Sequence, residues 1–197
     1  QADLLADFFE QNESISIVGH SFGGSVAMMA AKKYPKKIKK LILLEPNPFY
    51  LLEHHSDRDT FQEAVNLRDI IKKNAGKETW EQAAEQFADY WNGPGTWKQM
   101  DDLRREKFAE ALKPNFHEFD CVINETTSLE EWRDILPQNT HILFSEQTVN
   151  SIRKIITIFE ETMPNWIFHS YSEGTHMAPL THPNIVNPII HKILTEI

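Results

Sequence analysis

The stretch Ile17-Val18-Gly19-His20-Ser21-Phe22-Gly23-Gly24 (residues 17–24) decides how the rest of the chain is read. A short run rich in β-branched residues, Ser14 to Val18, leads into it; Ser25, Ala27, Met28, Ala30 and Ala31 follow it. The first predicts a buried strand and the second a helix able to lie close to a sheet. Gly19-x-Ser21-x-Gly23 therefore places a serine on a strand-to-helix turn. Such a serine needs a strained backbone, which is tolerable when Gly19 and Gly23 carry no side chains. Its hydroxyl then stands clear at the carboxyl end of the sheet. The Phe22 N–H lies at the helix N-terminus, where it can stabilise a developing oxyanion. Ser21 reads as a nucleophile.

A serine hydroxyl needs a base to take its proton. Of nine histidines, His176 stands in Ser-Glu-Gly-Thr-His-Met-Ala-Pro, after the last predicted strand and before the last helix. That loop emerges at the same sheet end as Ser21, so His176 reads as the general base. His20 is next to Ser21 and is expected to point elsewhere. His54 and His55 with Asp57 and Asp59, and His117 with Glu118, Asp120 and Cys121, have spacings a metal could use. Solvated helix surfaces explain both groups better, and no metal site is expected. His141 and His169 fall in or beside strands.

Strands are expected at Ser14–Val18, Ile38–Leu44, His141–Ser145 and Trp166–Tyr171, and helices at 2–11, 24–33, 151–163 and 184–197. The run Leu41-Ile42-Leu43-Leu44 is continuously apolar, as where both sheet faces are covered. Alternation of strand and helix predicts a parallel sheet flanked by helices. Between Phe49 and Pro137 helical patterns dominate, at 57–74, 79–91, 97–112 and 128–136, with a break at Asn92-Gly93-Pro94-Gly95. That is too long for a plain connection and reads as an insertion. The expected division is 1–48, 49–137 and 138–197.

The 197 residues suffice for a sizeable core, and a formal charge of −9 argues against nucleic acid or anionic membranes as general partners. The lysines from Lys32 to Lys40 bracket a helix end and strand entry. One cysteine, Cys121, permits no internal disulfide and points to the cytoplasm.

These motifs, "GHSFGG" and "GTHM" above all, and the order of elements resemble the α/β-hydrolase superfamily. The resemblance implies the carboxyl-terminal part of an α/β-hydrolase fold with an inserted helical cap. It also implies a Ser–acid–His triad, no cofactor and a small-molecule substrate. The usual acid position, past the strand His141–Ser145, holds Thr148, with Glu146 nearby. A second family solution puts the acid at the end of the strand after the elbow, as in haloalkane dehalogenases. Glu45 stands there, straight after a buried run where an unpaired carboxylate would be costly. Glu45 is the expected acid and Glu146 the alternative. The resemblance also implies strands upstream of the elbow and a second oxyanion donor among them. A preceding segment or a second copy is therefore expected to cover the sheet edge. Tyr90 and Trp91 share a helix face in the insertion, with Trp97 beyond; these aromatics are candidates for lining an apolar pocket. The readings left open are a serine hydrolase acting on an ester-like or carbon–carbon acyl bond, an acyltransferase, and a non-catalytic binding or scaffold relative.

Overall fold

The computed structural model describes residues 1–55, 58–75, 77 and 79–196. Four strands form one parallel sheet in the order β1 (Ile15–His20), β2 (Ile38–Leu44), β3 (His141–Ser145) and β4 (Ile167–Tyr171). The expected strands and the parallel arrangement are all present. β1 runs two residues further than its apolar run suggested, through Gly19 and His20, because its ladder with β2 continues to the pair His20–Leu44.

Side chains of β2 alternate between two cores, as period-2 geometry demands. Leu41 and Leu43 face the larger one, against α2 (Phe22–Lys33) and the insertion. Ile42 and Leu44 face the smaller one, with Leu143, Tyr171, Val186 and Ile193. The continuous apolar run is thus the signature of a strand covered on both sides. β1 is an edge of the described sheet, and Val18 on it is 43% exposed.

Short α1 (Ala6–Gln11) precedes β1, and α3 (Tyr50–His54), α4 (Arg58–Ala75), α5 (Trp80–Asn92), α6 (Thr96–Gln99), α7 (Asp102–Ala111), α8 (Asn115–Asn124) and α9 (Leu129–Ile135) separate β2 from β3. The helical insertion is present, with two helices that the pattern did not predict. In α3, Tyr50, Leu51 and Leu52 are all buried, so no amphipathic stripe betrays it. In α8 the polar residues 117, 118, 120 and 121 had suggested a solvated surface, yet Phe119, Val122 and Ile123 bury its other face. The helix expected over 97–112 is broken at Met100, and Asp101 restarts it by accepting the Arg104 N–H at 2.8 Å. The break at 92–95 is held by Asp89, whose carboxylate accepts from the N–H groups of Gly95 and Trp97.

Helix α10 (Asn150–Thr162) joins β3 to β4, and α11 (Ala178–Thr181) and α12 (Pro183–Thr195) end the chain. No helix among the described residues is long and apolar enough to cross a membrane.

Candidate active site

The parallel register brings three strand ends level. Ser21, Glu45 and Glu146 are each the first residue past β1, β2 and β3. Each still donates its N–H to the next strand over: Ser21 to Leu44, Glu45 to Leu143 and Glu146 to Tyr171. Among the described residues, Ser21 (φ 55°) and Glu45 (φ 44°) are the non-glycine residues with positive φ. Each such conformation costs on the order of 1–3 kcal/mol and persists only where the surroundings impose it. At both positions it turns a polar side chain back over the strand ends.

Gly19 shows why the first turn is possible. A Cβ there would lie 2.4 Å from the Gly23 carbonyl oxygen and 2.9 Å from the Gly24 Cα. The second close approach falls on Gly24, not on Gly23 as expected. A Cβ at Gly24 would meet Pro46 at 3.0 Å, whereas Gly23 has open space around it. The constraint follows the axis of α2, which presses Gly24, not Gly23, onto the β2 exit. The Gly24 and Ser25 N–H groups bond back to the Ser21 carbonyl, while those of Phe22 and Gly23 have no backbone acceptor among the described residues. Both are open at a helix N-terminus, where partial positive charge gathers.

His176 lies between Ser21 and Glu45. Its Nε2 is 2.9 Å from Ser21 Oγ and its Nδ1 is 2.6 Å from Glu45 Oε2. A carboxylate can only accept, so Nδ1–H donates to Glu45 and Nε2 is left to accept the serine proton. Glu45 is fully buried and His176 nearly so. Glu45 also accepts the Ser145 N–H at 2.7 Å and the Thr148 hydroxyl at 2.6 Å. Burial alone would raise the Glu45 carboxyl. The His176 ring, then Thr148 and Ser145, outweigh it and hold the group below its ordinary value. Thr148, in the usual acid position, is thus a donor to the Glu45 carboxylate at the end of the neighbouring strand.

Glu146 does not share this arrangement. Its side chain is exposed and accepts from Ser170 at 3.1 Å. The alternative acid is therefore turned away from His176, because its ordinary backbone conformation sends the carboxylate to solvent.

His20 was expected to point elsewhere than Ser21, and its ring turns to the His176 loop. Its Nε2–H donates to the His176 carbonyl at 2.8 Å, and the two rings stand 4.8 Å apart. Burial, foremost, lowers the His20 pKa to about 4, so the ring stays neutral at pH 7. The histidine loop is pinned again where the Ser145 hydroxyl donates to the Gly174 carbonyl. Nothing in the local sequence around His20 signals this contact.

The three aromatic candidates separate. Trp91 stacks on the His176 ring at 4.0 Å between centroids and 27° between planes. Tyr90 instead bonds through its hydroxyl to Ser151 Oγ at 2.7 Å, tying α5 to α10. Trp97 packs beside Phe108 within the insertion, and its carbonyl accepts from Arg105. A cavity of about 650 Å³ opens on the side of α2, lined among others by Phe22, Ser25, Met29, Pro48, Tyr50 and Trp132. None of the three aromatic candidates lines it; Phe22 is its link to the elbow. Two buried polar atoms lack a partner among the described residues, Trp91 Nε1 and the Tyr171 hydroxyl. Burial, and then the Glu45 charge, push the Tyr171 phenol upward.

Among the described residues no three His, Cys, Asp or Glu side chains converge as metal ligands. Asp57, considered beside His54 and His55, lies outside the described residues. His141 and His169 pair with each other instead, ring nitrogens 3.0 Å apart.

The family model of the alpha/beta hydrolase fold matches residues 11–95. The biotin biosynthesis bifunctional protein BioHC of Teredinibacter turnerae is 23% identical over 92% of this chain, and the chain spans a third (33%) of that protein's length. A hydrolase from Pseudomonas aeruginosa superposes over 98% of this chain and 69% of its own, with a TM-score of 0.75 and 14% identity. A structure from a study of carboxylesterases of Nitrososphaera gargenis covers 98% of this chain and 70% of its own, with a TM-score of 0.71 and 16% identity. Residues 11–95 thus match the alpha/beta hydrolase family model, and the chain has a partial α/β-hydrolase fold with a cap region.

Proposed function

We propose that this chain, with its α/β-hydrolase fold and match to that superfamily of hydrolytic enzymes, carries the active centre of a serine hydrolase. It cleaves an ester-like or carbon–carbon acyl bond of a small, apolar substrate through an acyl-enzyme. The observation that carries this reading is the unbroken relay Ser21 Oγ–His176–Glu45, at 2.9 and 2.6 Å, with strained backbone at both ends.

In this reading His176 Nε2 takes the Ser21 proton as Oγ attacks the acyl carbon. The Phe22 N–H, at the start of α2, donates to the oxyanion. Glu45 fixes the tautomer and stabilises the imidazolium without taking its proton. His176 then protonates the leaving group, and water, activated by the same ring, releases the acyl group. The donor role of Thr148 supports catalysis over a scaffold role: the replacement of the usual acid is matched by a carboxylate one strand away.

A fluorophosphonate probe is expected to label the folded protein at Ser21, with labelling lost in Ser21→Ala and His176→Ala. Absence of labelling in the folded wild type overturns the proposal. Added alcohols competing with water for the acyl group distinguish a transferase.

A further inference from the structure

We infer that Trp91, carried by the insertion, is an electrostatic partner of His176 whose indole face stabilises the imidazolium formed during turnover. This rests on the serine-hydrolase reading above. The indole stacks on the imidazole at 4.0 Å between centroids and 27° between planes, inside the roughly 6 Å within which a cation gains from an aromatic face. Tryptophan offers the strongest such face among side chains. No hydrogen bond accounts for an indole here, because its buried N–H has no acceptor among the described residues. The ring is set instead by neighbours: Phe49 at 6.5 Å, Phe87 at 5.9 Å and Tyr90 at 4.9 Å. Tyr90 is itself held through Ser151. The face is therefore presented to His176 before any substrate arrives.

The gain is differential. Against neutral imidazole the stack is ordinary packing. Against imidazolium it adds charge–quadrupole attraction in a site shielded from water. Interactions stronger in the transition state than in the ground state are those that raise the rate. The other groups facing His176 leave room for such an effect. From β2, Glu45 takes Nδ1. From β1, Ser21 takes Nε2, while His20 is held neutral by burial and brings no competing cation. Past β3, Thr148 donates to Glu45 and the Glu146 carboxylate is turned to Ser170. On α5, Asp89 is occupied by the Gly95 and Trp97 amides.

The test combines substitution with graded fluorination, using p-nitrophenyl ester hydrolysis and Ser21 labelling as readouts. Trp91→Phe is expected to lower kcat/KM about threefold and Trp91→Leu about thirtyfold. Incorporating mono-, di- and trifluorotryptophan thins the ring face without changing the fold of contacts. The rate should fall stepwise in the wild type and not in the Trp91→Phe background, where only the remaining tryptophans are altered. This arm decides if Trp91→Leu fails to fold. A flat fluorination series with Ser21 still labelled overturns the role of Trp91 alone. A folded wild type without labelling overturns the serine-hydrolase reading and this role with it.

Discussion

Glu45 and Glu146 begin from nearly equivalent places and end in opposite environments. Each is the first residue past a buried parallel strand, and each gives its N–H to the next strand's last carbonyl region, Leu143 in one case and Tyr171 in the other. Glu45 has positive φ, is fully buried and has two donors besides His176. Glu146 is exposed, and its carboxylate accepts from Ser170. Positive φ at Glu45 and not at Glu146 separates them, and it is stable at Glu45 because three hydrogen bonds reward the inward turn. The lesson is that donor supply from neighbouring elements selects which strand-end carboxylate turns inward to His176.

The largest test of this contrast is catalytic. Glu45→Gln should lower kcat by about 10³–10⁴-fold, because a neutral amide no longer stabilises the imidazolium. Glu146→Gln should stay within about twofold, as an exposed carboxylate with one weak contact has little to lose. Equal losses in the two variants, measured on the same ester, would remove the distinction.

A smaller effect is expected at Thr148, the donor that Glu45 has and Glu146 lacks. Thr148→Val keeps the shape and deletes the hydroxyl. It should lower stability by about 2 kcal/mol, the range for a hydrogen bond to a charged buried group, and kcat about tenfold. Urea unfolding and steady-state kinetics measure the two.

The smallest effect concerns pH. The Glu45 carboxyl is held below its ordinary value, so its contribution to stability is fully present above pH 4.5 and is lost as pH falls through the folded-state value. His20 is lowered from 6.5 to about 4 by burial, so its neutral form contributes fully above pH 6.5 and progressively less toward pH 4. Both have the same sign, and melting temperature should fall on acidification from pH 7 to 4. His20→Gln should flatten the upper part of that fall and Glu45→Gln the lower part.

How much of this was legible from the chain follows from the reach of each interaction. The elbow could be read because its cause is local: a buried strand, a tight turn and a close-packed helix constrain residues a few positions apart. Even there, sequence pointed to Gly23 as the second tight position. Contact with Pro46, two residues past the end of β2, makes it Gly24. α3 escaped because its consecutive Tyr50, Leu51 and Leu52 are all buried and make no stripe, and α8 because its polar residues 117, 118, 120 and 121 masked the buried face of Phe119, Val122 and Ile123. Ser21 and His176 were nominated by motif and loop position, and Glu45 only as one of two acids.

By itself, then, the sequence determined the alternation of strands and helices, the elbow serine and the loop carrying the histidine. All of these are encoded by periodicity and by steric demands over short spans. Only the tertiary structure decided which carboxylate meets His176, that Thr148 serves it, that His20 holds the loop and that Trp91 covers the ring. His176 lies 131 positions from Glu45 and 155 from Ser21. Contacts over such distances are set by which strands are neighbours and how each chain turns at the sheet edge, and no local pattern records that.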